Sequence, residues 1–209
     1  VMKNGSRAGV CGNIGDSGSF RDVSSINIRI AREIFGCSNE IIRNYNGGGI
    51  LIAGAPGSGK TTVLRDLIRQ LSNGALGKLF RISVIDSRYE ISGSSYGKNA
   101  NDLGSNTDVL ITEQKAIGIE IALRTMFPEI IAFDEIATVD ELKKVSDSFY
   151  SGVNIITTAH IGSIDELKTR NVTNLLLRSG AISQIALLPR LHGGKIRLMD
   201  TKELFCEAY

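Results

Sequence analysis

The stretch Gly54-Ala-Pro-Gly-Ser-Gly-Lys60-Thr61 has the spacing G-x-x-x-x-G-K-[ST]. Gly54, Gly57 and Gly59 let the backbone fold into a nest whose N–H groups converge on phosphate oxygens, and a helix starting there adds the positive end of its dipole. Lys60 is suited to bridge the β- and γ-phosphates, and the Thr61 hydroxyl to hold Mg²⁺. Ala55, Pro56, Ser58 and Thr62 complete the expected phosphate-binding run.

A second constellation lies in Glu129-Ile-Ile-Ala-Phe-Asp-Glu135. An apolar strand delivering an acidic pair after a phosphate loop is the Walker B arrangement, with Asp134 organising the metal shell and Glu135 polarising an attacking water. Val153-Asn-Ile-Ile-Thr-Thr-Ala-His160 is a further strand ending in hydroxyls and a histidine. Thr157, Thr158 and, above them, His160 are candidate γ-phosphate sensors. Asp86, Arg88 and Glu90 alternate, so in an extended segment they would share one side. They read either as a surface charge cluster or as groups that activate water or sense phosphate. His192, in a turn, reads as exposed and without a role.

These groups need elements to hold them. Gly49-Ile-Leu-Ile-Ala53 reads as a buried strand running into the loop, and Val63, Leu64, Leu67, Ile68 and Leu71 recur at helical spacing after it, with Arg65, Asp66, Arg69 and Gln70 on the other face. Arg81–Asp86 predicts a second strand, Thr112–Met126 a helix stopped at Pro128, and Thr138-Val-Asp-Glu141 a capping box before the apolar stripe Val139, Leu142, Val145 and Phe149. Ser163-Ile-Asp-Glu166 caps another helix, and residues 182–188 and 195–199 predict a strand pair at one sheet edge. Strands preceding helices imply an α/β fold with a mainly parallel sheet, its ligand beyond the carboxyl ends of the strands.

Residues 1–46 form a separate β-rich section. Ile26, Ile28 and Ile30 alternate with polar residues as in a half-buried strand, Gly15–Ser19 reads as a turn, and Asn44–Gly49 as the joint to a nucleotide-binding domain over 47–209. The 209 residues are 42% hydrophobic and 22% charged, enough for one sizeable core. A net charge of +2 and 6% aromatics without tryptophan argue against a dedicated nucleic-acid binder. Lys98, Arg170, Arg178, Arg190, Lys195 and Arg197 remain a conceivable local patch for a motor acting on nucleic acid. Cys11, Cys37 and Cys206 show no metal-binding or disulfide spacing. No run approaches the roughly 18 apolar residues of a membrane span.

Taken together, the segments Ser25–Glu33, Gly57–Asp66, Ile85–Gly93, Asn106–Leu110, Ala122–Ile131, Asp134–Ile136 and Thr157–His160 resemble the stage III sporulation AA family of endospore-forming bacteria, and more broadly the RecA-like ATPases of type II and type IV secretion systems. Two positions depart from the usual pattern: Ser87 stands where an acidic residue is customary, and Ile161 where a small one is. The resemblance implies a RecA-like ATPase binding ATP and Mg²⁺, assembled as a homo-oligomeric ring, a hexamer by analogy with the secretion ATPases. It implies a cytoplasmic location at the mother-cell face of the membrane, coupled to a membrane protein of a sporulation channel. It places Glu90 in an acidic box and His160 in a histidine box, both catalytic with Lys60 and Glu135. It makes Arg29, Arg32, Arg88 and Arg124 candidates for completing a neighbouring site, and residues 1–46 the end of a truncated N-terminal domain. A nucleotide-gated scaffold with little turnover is the non-enzymatic alternative.

Overall fold

The computed structural model describes residues 6–30, 32–93, 100–136, 138–189 and 194–206. The expected residues His192, Lys98 and Arg190 lie outside these, as do the side chains of Arg29, Phe149 and Cys206.

A seven-stranded sheet runs in the order β5-β4-β6-β7-β3-β8-β9, comprising Thr107–Ile111, Ile82–Asp86, Ile130–Phe133, Asn154–His160, Ile50–Gly54, Gln184–Leu187 and Arg197–Asp200. All neighbours are parallel except β8 and β9, which close one edge as an antiparallel pair. The strands β3, β4 and β6 are buried along their whole length, as a sheet covered on both faces requires. One core layer gathers Leu51, Ile85, Ile131, Phe133, Ile155 and Ile161 with α3 (Lys115–Thr125) and α4 (Val139–Tyr150). The other gathers Ile50, Ile52, Val84 and Ala132 with α2 (Lys60–Ser72).

Several local expectations hold. Helix α2 buries Val63, Leu64, Leu67, Ile68 and Leu71, and ends at Asn73. The capping box before α4 closes in both directions, Glu141 N–H to Thr138 Oγ1 at 3.2 Å and Thr138 N–H to Glu141 Oε2 at 3.3 Å. Val139, however, points outward, 64% exposed, while Leu142 and Val145 pack inward. Ser163 caps α5 (Ile164–Thr169), but that helical run breaks at Arg170, whose extended backbone separates it from α6 (Asn171–Arg178).

Other features differ from the sequence reading. The strand β5 was not expected: its five residues sit at the sheet edge, where pairing with β4 along only one side suffices to order them. Residues 39–43 form a short helix, α1 (Asn39–Arg43), within the section expected to be β-rich; it buries Ile41 and Ile42 against α2 and β3. A last helical turn, α7, spans Glu203–Cys206. The hairpin of β1 (Arg7–Ile14) and β2 (Phe20–Arg29) forms with its turn over 15–19. Yet Ile26, Ile28 and Ile30 are 61%, 55% and 62% exposed. The alternation specifies a strand, but burial needs a second layer, and none of the described residues covers that face.

Helix α2 also carries an unexpected burial. Arg65 and Asp66, placed by periodicity on the solvent face, are 9% and 3% exposed because the segment 32–38 lies across them. The Asp66 carboxylate accepts from Gly36 N–H, Ser38 N–H and the Ser38 hydroxyl, as well as from Arg69 and Gln70. Burial alone would raise its pKa, but the hydrogen bonds from Arg69, Ser38 and Gly36 outweigh that and hold it at about 2.

Candidate functional site

The strand β3 ends at Gly54, and the chain turns through 55–59 into α2. Gly57 and Gly59 have φ of +78° and +89°, a backbone region that side-chain-bearing residues rarely adopt, so the turn requires glycine at both positions. At Gly54 a Cβ would meet Ser58 Oγ at 2.4 Å, so the loop folds tightly onto its own strand. Ser58 Oγ is itself buried with no hydrogen-bond partner among the described residues. This compact glycine turn opening a long helix fits a phosphate cradle.

A cleft of about 260 Å³ lies over the carboxyl ends of the strands, lined by Gly57, Gly59, Lys60, Thr61 and Thr62 from the loop and helix. Its other wall is Arg88, Glu90, Lys115, Asp134, Glu135, Thr158 and His160. Gly54, Ala55, Pro56 and Ser58 shape the loop without lining the cleft. Gly54 and Ala55 do so through their carbonyls, each accepting from Lys60 Nζ at 2.9 Å.

Lys60 is nearly buried and its ammonium also lies 3.0 Å from His160 Nδ1. A protonated lysine only donates, so Nδ1 accepts and Nε2 carries the imidazole proton. That nitrogen faces Glu135 Oε2 at 3.6 Å, while the backbone N–H of His160 reaches Glu135 Oε1 at 3.5 Å. Lys60, His160 and Glu135 thus form a continuous polar chain across the cleft floor. Arg170 adds its guanidinium 3.6 Å from Glu135 Oε1.

Asp134 leaves β6 beside β7. Its Oδ1 accepts from Glu135 N–H at 2.7 Å and the Thr158 hydroxyl at 3.4 Å, and the Thr157 hydroxyl holds its carbonyl at 2.8 Å. Thr157 is therefore committed to the strand end and does not line the cleft, whereas Thr158 does. Lys115 Nζ donates to the Glu135 carbonyl. Thr61 and Asp134 both line the cleft, where a hydroxyl and a carboxylate could hold a hard cation such as Mg²⁺ and leave the rest of its coordination to phosphate oxygens and water.

The acidic segment after β4 is not extended. Asp86 is buried and accepts from the backbone N–H groups of Arg88, Glu90, Ile91 and Ser92 and from the Ser92 hydroxyl. This folds residues 87–92 into a turn with Tyr89 at φ +58°. Asp86 thus shapes the loop from beneath, and only Arg88 and Glu90 reach the cleft. Among the other arginines singled out, Arg32 is exposed in the 32–38 segment and Arg124 pairs with Glu120 at 2.8 Å on the outside of α3. Of the basic patch conceived for nucleic acid, Arg170 faces Glu135 and Arg178 stacks 4.9 Å over Phe205. Sequence reasoning assigned no site role to Lys115, and none beyond that patch to Arg170. Each is a single charge at a helix boundary, and only the tertiary fold brings it to Glu135.

Among the described residues no helix is long and apolar enough to cross a membrane. In a search of solved structures the chain resembles the ATPase DotB of Legionella pneumophila, with a TM-score of 0.58 and 17% identity over 97% of this chain and 63% of that one. It resembles the pilus retraction motor PilT with bound ADP equally, with a TM-score of 0.58 and 18% identity over 94% of this chain and 62% of that one. At such identities the likeness establishes the fold, which is the RecA-like one expected. Among curated proteins, stage III sporulation protein AA of Bacillus subtilis (strain 168) is 33% identical over 201 residues, 92% of this chain. The chain spans 66% of that relative's length. The family model described as sporulation stage III, protein AA, matches residues 1–201. With a family match over nearly its whole length and the phosphate loop, acidic strand end and histidine strand in one cleft, the chain belongs to the stage III sporulation protein AA family.

Proposed function

We propose that the chain hydrolyses ATP with Mg²⁺ in the cleft above β3, β6 and β7, and that the energy drives a secretion-like channel during endospore formation. The observation that carries this reading is the convergence of Lys60 at the start of α2, Asp134 and Glu135 after β6, and His160 at the end of β7, with Lys60 in contact with His160 and His160 facing Glu135. The structural neighbours, an ATPase and a pilus retraction motor, support a mechanical ATPase.

In this reading the backbone of 54–59 and the start of α2 cradle the phosphates. Lys60 exchanges its bonds to Gly54, Ala55 and His160 for phosphate oxygens. Thr61 and Asp134 would hold Mg²⁺, which when bound neutralises phosphate charge and polarises the phosphoryl oxygens. Glu135 orients the attacking water and accepts its proton, held by His160 and Arg170. His160, released by Lys60, becomes free to sense the terminal phosphate. Glu90 and Arg88 close the cleft from the side of β4.

Residues 47–209 would then be the ATPase domain and 1–46 the end of a preceding domain with its linker. Copies of the chain would assemble in a ring at the mother-cell face of the membrane against a membrane protein of the channel, with the exposed Arg32 serving a neighbouring site. The direct test is binding of a fluorescent ATP analogue with Mg²⁺. Lys60→Ala should lose measurable affinity while keeping the wild-type circular dichroism spectrum. Undiminished binding by that variant would refute the site.

A further inference from the structure

Arg65 lies one turn into α2 from the phosphate loop and is almost fully buried without being part of either apolar core layer. Its Nε and Nη2 both donate to the Glu90 carbonyl, the first at 3.0 Å, and its Nη1 donates to the Arg32 carbonyl at 3.2 Å. One planar guanidinium therefore holds together three pieces of backbone: the helix that starts at Lys60, the turn that presents Glu90 to the cleft, and the segment that leads back to β2. A lysine could not reproduce this, because the forked donors of arginine reach two carbonyls in fixed directions.

Both held segments are otherwise well braced. Asp86 fastens the Glu90 turn from beneath with four backbone N–H groups and a hydroxyl, and Asp66, next to Arg65, fastens Gly36 and Ser38. The Asp102 N–H donates to Glu33 Oε1 at 2.7 Å, which ties the 32–38 segment to a different stretch, beyond the Glu90 turn. Each segment is thus a rigid piece, and Arg65 is the side chain that joins the two across α2.

Resting on the ATPase reading above, we propose that Arg65 is a positioning residue: it sets Glu90 against the cleft and couples that wall to the 32–38 segment, and through it to the β1–β2 hairpin. Coupling of this kind is reciprocal. A ligand that draws Glu90 toward the phosphates also steadies residues 32–38, and displacement of the hairpin segment alters the geometry at Glu90.

Hydrogen exchange with ATPγS and Mg²⁺ tests this without turnover. In the wild type, nucleotide should slow exchange of amides in both the phosphate loop and residues 32–38, each by about tenfold or more. In Arg65→Ala the phosphate loop should still be protected and 32–38 no longer so. Arg65→Lys, which keeps the charge and much of the bulk, should fall between the two. Steady-state kinetics supply the second readout: Arg65→Ala should lower kcat on the order of tenfold to a hundredfold with little change in KM. In a Glu90→Gln background the same substitution should have no further effect. A loss of kcat that simply multiplies with that of Glu90→Gln would overturn the proposal. So would nucleotide protection of 32–38 that persists in Arg65→Ala, or protection of the phosphate loop in the wild type with 32–38 unaltered. If nucleotide protects neither region in the wild type, the ATPase reading fails and this proposal falls with it.

Discussion

Asp66→Asn should destabilise the protein in a pH-dependent way that isolates one carboxylate. The Asp66 carboxylate accepts from the Gly36 and Ser38 N–H groups, the Ser38 hydroxyl, Arg69 Nη2 at 2.6 Å and Gln70 Nε2. These bonds bring its pKa from 3.8 to about 2. Because the folded value lies below the unfolded one, the stabilisation is fully present above pH 4 and is lost as pH falls from about 4 toward 2. The difference corresponds to about 2 kcal/mol at neutral pH. Asn keeps the shape but loses the charge and turns an N–H₂ toward groups that already donate. Urea unfolding at pH 7 should therefore show the variant about 2 kcal/mol less stable. The gap should be unchanged at pH 5 and narrow below pH 4, other carboxylates being common to both proteins. A variant as stable as wild type at pH 7, or a gap that stays constant down to pH 3, would refute the reasoning.

The same clamp makes a chemical prediction. Burial, and after it the neighbouring Asp66 carboxylate, push the Cys37 thiol up to about 12, and its Sγ donates to the Thr62 carbonyl, whereas Cys11 is exposed on the hairpin. In a Cys206→Ser background at pH 8, Cys37 should react with a disulfide reagent on the order of a hundredfold more slowly than Cys11, because the thiolate is the nucleophile. Equal rates would show that the 32–38 segment does not seal against α2. For the ring, ATPase rate per subunit should rise with protein concentration as light scattering reports assembly. A flat rate across the assembly transition would count against sites shared between copies.

The phosphate loop and the acidic strand end were legible because their information is local. Glycine where φ is positive, a lysine at the start of a helix and an apolar run ending in Asp-Glu each declare themselves within a few residues. The capping box at Thr138–Glu141 was readable for the same reason, since both its hydrogen bonds close within one turn. Asp86 was misjudged although a local signal existed: an Asp followed by polar residues and a glycine favours a side-chain-capped turn over an extended strand. The strand β5 was missed because four half-buried edge residues around an exposed Asp108 carry little of the continuous apolar pattern that marked β3 and β6. Arg65 and Asp66 read as solvent-facing because helical periodicity knows only the helix, and their burial comes from residues 32–38 folding back over it. The exposed isoleucines of β2 show the converse, a local pattern to which the described residues supply no second layer and so no core to face.

The central claim is that Glu135 performs chemistry on a phosphate chain held by Lys60 and its loop. Glu135→Gln keeps the size and polarity of the side chain while removing its capacity to take a proton. Affinity for Mg²⁺-ATP and the rate of phosphate release should be measured on the same preparation of this variant and of wild type. The account predicts affinity within a few-fold of wild type and a rate lower by a factor on the order of 10² or more. Phosphate release by the variant at the wild-type rate would contradict it.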